Sequence, residues 1–290
     1  MTTLIGNGRQ LELDSPQVMG ILNITPDSFS DGGRLFSKGR VDIGAVVERA
    51  QSMLEAGAAV LDIGGESSRP GAQPVSQDQE LQRVMPVLEA LSGLDTMISV
   101  DTYKPAVAAQ GLANGAHLIN DISGGRDPQM LEVIAASRGA YCIMHMQGEP
   151  RTMQEQPRYD DVVTEVAGFL ARQVDSALQL GIDRERLLAD PGFGFGKSLQ
   201  HNLALLRRLQ ELASLQVPLL VGLSRKRMLG ALIGGESAGE PAARLAAGVA
   251  AATLAMQAGA AVVRTHDVAE TVDAAKIVAS VLRDDSQLRE

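Results

Sequence analysis

One unit recurs eight times along the 290 residues and constrains the fold more than any other feature of the chain. It is a short apolar run that ends on polar residues, then a loop rich in glycine, proline or serine, then a longer helical pattern. The apolar runs fall at 17–22, 59–63, 97–100, 117–119, 140–144, 187–189, 218–223 and 261–263. The helical stretches fall at 43–56, 77–91, 105–113, 129–136, 159–180, 199–212, 242–258 and 269–282. Strands apolar on both faces are buried on both faces, which implies parallel pairing through right-handed helical crossovers. Eight such units predict an α/β chain forming one closed (β/α)8 barrel, the TIM-barrel architecture, with an open doubly wound sheet as the alternative. That alternative ranks second because no usable dinucleotide fingerprint is present: the glycine-rich turn starting at Gly192 has Lys197 at the motif's last glycine position. A phosphate-cradling loop fails on the same turn, since Pro191 stands where its first glycine belongs.

Asn7-Gly8 lies between two short apolar stretches, so residues 1–16 are expected to form a β-hairpin extension over one end of the barrel. Nothing resembles an interdomain linker, and residues 1–290 read as a single domain. Its two longest loops, 25–40 and 64–76, follow the first two strands and are expected to be mobile loops serving the site. The net charge of -9, from 35 acidic and 26 basic residues, argues against general affinity for nucleic acid or an anionic membrane. Cys142 is the sole cysteine and sits in an apolar run, which excludes an intrachain disulfide and fits a core position. No signal peptide opens the chain, and 245–261 is too alanine-rich and too short for a membrane span, so a cytoplasmic protein is expected.

In a barrel of this kind the carboxyl ends of the strands converge on one mouth. Here they carry Asn23, Glu66, Asp101, Asn120-Asp121, His145, Asp190, Ser224-Arg225-Lys226 and Arg264-Thr-His266-Asp267. Asp121, Ser224 and Asp267 taken singly read as caps. Asp101, Asn120 and Asp190 offer two carboxylates and an amide to the donor-rich edge of a planar heterocycle, with Lys226 offsetting their charge. An acid pair could alternatively serve as general acid and base, but Phe195 on the glycine turn favours ring binding. Arg264 and His266, with Asn23 on the strand that adjoins theirs, suit a diphosphate with Mg²⁺ on the Asn23 oxygen. His117 and His201 read as uninvolved, and the four histidines show no zinc spacing.

Several long motifs occur in order: Met19-Gly-Ile-Leu-Asn-Ile-Thr-Pro-Asp-Ser-Phe-Ser-Asp-Gly-Gly33, Asp62-Ile-Gly-Gly-Glu-Ser-Ser-Arg-Pro-Gly71, Asp101-Thr, Asn120-Asp and Met144-His-Met-Gln-Gly148. They continue with Asp190-Pro-Gly-Phe-Gly-Phe-Gly-Lys197, Ser224-Arg-Lys226 and Arg264-Thr-His-Asp267. Together they resemble the dihydropteroate synthase family over nearly the whole chain. The resemblance implies a transferase of folate biosynthesis, a sulfonamide target, that condenses 6-hydroxymethyl-7,8-dihydropterin diphosphate with 4-aminobenzoate to give 7,8-dihydropteroate and pyrophosphate. It implies pterin binding by Asp101, Asn120, Asp190 and Lys226, and diphosphate and Mg²⁺ binding by Asn23, Arg264 and His266. The aminobenzoate pocket would be Ser68, Arg69, Pro70, Phe195 and Lys226, with the loops at 25–33 and 67–70 closing over the pterin. Catalysis would rest on Arg264, His266, Lys226 and Asp101, in a chain that pairs as a homodimer. One position departs from the family, which usually has threonine at Ser68: the hydroxyl is kept and a methyl contact worth about 1–3 kcal/mol is lost. A pterin-dependent barrel methylating a corrinoid protein, and a non-catalytic pterin-binding paralogue, are the competing functions.

Overall fold

A computed structural model of the chain, describing residues 2–25, 35–37, 40–68, 71–234 and 240–282, realises this alternation almost unit for unit. The chain opens with β1 (Thr3–Gly6), β2 (Arg9–Glu12), β3 (Gln17–Asn23), the short pair β4 (Phe36–Ser37) and β5 (Arg40–Val41), and helix α1 (Ile43–Glu55). There follow β6 (Val60–Gly64), α2 (Gln77–Leu91), β7 (Met97–Asp101), α3 (Pro105–Ala113), β8 (Leu118–Asp121), α4 (Pro128–Ala136), β9 (Ala140–Met144) and α5 (Val162–Gln179). The last part holds β10 (Leu187–Asp190), α6 (Leu199–Arg207), β11 (Leu219–Gly222), α7 (Arg227–Ile233), α8 (Leu245–Gln257), β12 (Ala260–Thr265) and α9 (Val268–Leu282). Eight parallel strands close a barrel in the order β10-β11-β12-β3-β6-β7-β8-β9, with Arg264 of the last strand opposite Met19 of the first.

The expected strands all appear; two helical stretches need correction, a third, 242–258, opens as a 3-10 turn at Ala242–Arg244 before α8, and one helix was not expected. The stretch 199–212 is not one helix: α6 stops at Arg207 and a 3-10 turn, Leu209–Leu215, takes over. Buried Leu209, Leu212 and Leu215 recur every third residue, the period of a 3-10 helix and not of an α-helix. The stretch 159–180 starts late, at Val162, because the Asp161 carboxylate accepts the Thr164 N–H at 2.7 Å and caps the helix there. Helix α7, between Lys226 and Gly234, has no counterpart in the sequence reading.

Alternation along each strand divides the core. Inward-facing Met19, Val60, Met97, Leu118, Leu188 and Val262 form an apolar floor inside the barrel, and Cys142 lies in the same cluster. The N-terminal hairpin seals that floor with Leu4, Leu11 and Leu13. Its tip is fastened by Asn7, whose side-chain amide donates to the Leu112 and Ala116 carbonyls at 3.0 and 2.9 Å. Outward-facing residues such as Leu61, Val100 and Ile143 join the apolar faces of the helices in a second, larger cluster. Both apolar layers leave only the carboxyl-end mouth for polar chemistry.

Candidate active site

Above the apolar floor the inward positions turn polar. One step up stand Asp62, Asn120, Asp190 and Arg264, and one step further Asn23 and Asp101. The Arg264 guanidinium reaches across the barrel, donating from Nε to Asp62 at 2.5 Å and from Nη2 to Asp101 at 2.8 Å. Asp62 is fully buried, and the same carboxylate oxygen accepts from the Asn120 amide at 3.2 Å. Four of the eight strands thus meet in one network. Asp62 Oδ1 and Asn120 Oδ1 are both buried and accept no hydrogen bond among the described residues. Leaving such an acceptor unmade costs about 1–3 kcal/mol, so the arrangement suits a bound group that brings N–H donors.

The titratable groups respond to this crowding. Burial raises the Asp101 carboxyl to about 7, opposed by the Arg264 charge and reinforced by Asp62. Burial also raises Asp190, against the pull of Lys226 and of the Gly192 N–H, which donates to Asp190 Oδ1 at 2.7 Å. Lys226 is lowered to about 8 by burial, with Asp190 acting the other way. Its ammonium donates to the Phe193 carbonyl and lies 4.6 Å from the centre of the Phe195 ring. Asp190, Lys226, Asn120, Asp101 and Arg264 are therefore brought to a single opening, as expected.

The glycine turn after β10 packs against the end of β9 so closely that side chains are excluded. A Cβ at Gly192 would lie 1.9 Å from the His145 carbonyl oxygen, and one at Gly196 would lie 2.2 Å from that of Gln147. Lys197 locks the two segments together from beneath, its ammonium donating to the carbonyls of Gly192 (2.9 Å), Phe195 (3.0 Å) and His145 (3.2 Å). It also lies 2.9 Å from His145 Nδ1. Burial, followed by the Lys197 charge, holds the His145 imidazole down at about 3, so this histidine is a neutral brace. Above the turn, Phe195 and Tyr103 border an apolar shelf of Ile122, Met144, Met146 and Met153, a surface matched to the face of a flat ring.

The remaining strand-end residues sort cleanly. Asp121 is a turn residue, accepting from the Ser123 and Gly125 N–H groups and the Tyr141 hydroxyl at 2.7, 2.8 and 2.7 Å. His266 Nδ1 lies 3.1 Å from Ser224 Oγ, which also accepts the His266 N–H at 3.2 Å. Asp267 pairs with Arg225 at 2.5 Å. His117 accepts the Ile98 N–H and His201 shares a capping box with Ser198, so both are structural. Ser68 lines a cavity of about 290 Å³ with Asp101, Tyr103, Ile122 and Arg151. Arg69 and Pro70, and residues 26–34 of the first closing loop, lie outside the described residues.

Asn23, at the end of β3, is the residue expected to take Mg²⁺. An ideal Cβ at Gly64 would lie 3.1 Å from Asn23 Oδ1, so glycine there keeps the space beside that oxygen clear. Among the described residues no three His, Cys, Asp or Glu cluster into an all-protein metal site. A single neutral oxygen fits a hard cation that keeps waters and takes phosphate oxygens.

Asp62, Lys197 and the methionine shelf escaped the sequence reading. Asp62 had a signal: a carboxylate inside the run Val60–Gly64 must be paired if that run is a buried strand.

Residues 19–266 match the family profile described as pterin binding enzyme. A barrel whose mouth gathers buried acceptors over an apolar shelf is thus a pterin-binding enzyme fold. The dihydropteroate synthase of Escherichia coli (strain K12) is 49% identical over 280 residues, 96% of each chain. Dihydropteroate synthase from Yersinia pestis, solved with a sulfonamide drug, superposes with a TM-score of 0.89 at 47% identity, covering 97% of this chain and 98% of that one. The Xanthomonas albilineans enzyme with 4-aminobenzoic acid gives 0.88 at 47% identity, with the same coverage. The chain belongs to the dihydropteroate synthase family.

Proposed function

We propose that this mouth joins 6-hydroxymethyl-7,8-dihydropterin diphosphate to 4-aminobenzoate, releasing pyrophosphate and 7,8-dihydropteroate. The observation that carries the reading is the set of buried acceptors: among the described residues Asp62 Oδ1 and Asn120 Oδ1 lack partners, beside the carboxylates of Asp101 and Asp190. The amino and ring N–H groups of a pterin supply the missing donors, and its flat face lies on the Met144 and Met146 shelf. Lys226 offsets the acids and, with Phe195 and Ser68, borders the aminobenzoate. One solved relative holds a sulfonamide drug and another 4-aminobenzoic acid, which supports 4-aminobenzoate as the second substrate.

In the reaction the bond from the exocyclic CH₂ to the diphosphate oxygen breaks, its electron pair leaving on oxygen. The arylamine nitrogen forms the new C–N bond and gives its proton to solvent. Arg264 and His266 hold the departing diphosphate, a preorganised electrostatic role. Mg²⁺, held through Asn23, would supply charge neutralisation at the phosphates. Asp62 and Asp101 keep the guanidinium fixed before substrate arrives.

The chain is further proposed to act in the cytoplasm as a homodimer. No described helix is long and apolar enough to cross a membrane, which agrees with the first point. The second has support in α8: it holds no charged residue, consists mostly of alanine and other apolar residues, and yet leaves Leu254 exposed.

The test is pyrophosphate release with both substrates, with either alone, and with Arg264→Ala. Release should need both substrates and fall by about a hundredfold or more in the variant, as when one oxyanion donor is removed. Pterin binding without release would mark a non-catalytic paralogue.

A further inference from the structure

Beside this mouth lies a second charged cluster that the reaction above does not use. Glu66, two residues past β6, accepts the Val75 N–H at 3.3 Å and the Tyr103 hydroxyl at 3.0 Å on Oε1, and the Lys104 ammonium on Oε2. Lys104 also donates to Glu80 of α2. Side-chain exposure is 17% for Lys104, 10% for Glu66 and 1% for Glu80, so these charges are largely out of water and each depends on the others. Burial alone would lower the Lys104 ammonium, but the hydrogen bonds it donates to Glu66 and Glu80, with the charges of those carboxylates, outweigh burial and raise it.

The geometry spans a loop. Glu66 and Val75 are nine residues apart, and their hydrogen bond ties the two ends of the segment that carries Ser67, Ser68 and Gly71. Tyr103 and Lys104 stand two and three positions past Asp101, so the anchor is the end of β7 itself. Glu66, Ser68, Tyr103 and Asp101 line the same cavity.

We propose that Glu66 is a positioning residue that clasps the base of this loop to the β7 corner, setting the affinity for 4-aminobenzoate far more than that for the pterin diphosphate. The substrate half rests on the synthase reading. The clasp itself does not.

The test compares Glu66→Ala, Glu66→Gln and Val75→Pro. Proline at 75 removes the donated N–H and leaves the Glu66, Lys104 and Glu80 cluster intact, so it decides the matter even where Glu66→Ala fails to fold. Glutamine keeps an oxygen for Val75 but offers Lys104 no second acceptor, and serves as the conservative rescue. Amide hydrogen exchange at Ser67, Ser68 and Gly71 should quicken about tenfold in the alanine and proline variants, the size of one charge-assisted hydrogen bond, with β10 unaffected. The KM for 4-aminobenzoate should rise by a similar factor, that for pterin diphosphate should stay within about twofold, and glutamine should fall between. Unchanged loop exchange would overturn the clasp, and equal rises in both KM values would overturn its substrate selectivity. Absence of pyrophosphate release from the unmodified chain would overturn the synthase reading and the substrate half with it, while exchange still decides the clasp.

Discussion

Lys226 carries a charge at this site that burial brings close to the physiological range. Burial lowers its ammonium to about 8, Asp190 and Asp101 pull it upward, and Arg264 pushes it down. The protonated form is the one that offsets Asp190 and reaches the Phe193 carbonyl. In the free enzyme kcat/KM for the pterin diphosphate should therefore fall above about pH 8, as Lys226 gives up its proton. Lys226→Arg holds its charge throughout that range, because a guanidinium does not titrate there. Its profile between roughly pH 6 and 10 should be lower than that of the unmodified chain near neutrality and lack the alkaline fall. A fall that persists in the arginine variant would assign the titration to another group. Asp62 shows what residue-level reading misses: its place in the layer of Asp190 and Arg264 depends on barrel closure, which sets strands far apart in the chain at one height.

At the scale of elements, the turn after β10 has the least freedom. Gly192 has φ +68° and its missing Cβ would meet the His145 carbonyl at 1.9 Å, whereas Gly8 at the hairpin tip has φ +84° and open space around it. Both conformations cost an L-residue about 1–2 kcal/mol, but only Gly192 adds a backbone clash. Gly8→Ala should stay near that conformational cost in urea denaturation, and Gly192→Ala should exceed it by at least about 1 kcal/mol. The alanine at 192 should also weaken pterin binding, because the Gly192 N–H that fixes Asp190 must move. Equal losses at the two sites would show that the turn yields without resistance. The same elements mark where the sequence was legible. Runs apolar on both faces announced the eight strands, because burial on both sides leaves no other composition. Helix α7 was hidden since seven residues, Arg227–Ile233, give two turns and too little periodicity to register. Glu66 was visible as a strand-end acid, but its partners come from α2 and the β7 corner, and no local spacing joins them.

For the whole molecule, the decisive surface is the one the barrel itself does not cover. Helix α8 buries Ala251, Ala252, Ala255 and Met256 on the inside, and its outer face carries Ala246, Ala250 and Leu254 at successive turns. Neighbouring α9 shows Ile277 and Val281 to solvent, at 65% and 74% exposure. The exposed side of α8 carries no charge, and Ile277 and Val281 of α9 add branched apolar groups beside the exposed Asp273–Lys276 pair, a surface that suits the close approach of a second copy. A twofold interface places the same patch on both partners, so one substitution acts twice. Ile277→Glu should therefore shift the sedimentation coefficient from dimer to monomer at micromolar concentration. The mouth lies at the strand ends and Ile277 on an outer helix, so pyrophosphate release per chain should survive if each barrel works alone. A dimer that persists in both Ile277→Glu and Leu254→Glu would place the contact on another face, and an unmodified chain that sediments as a monomer would remove it altogether.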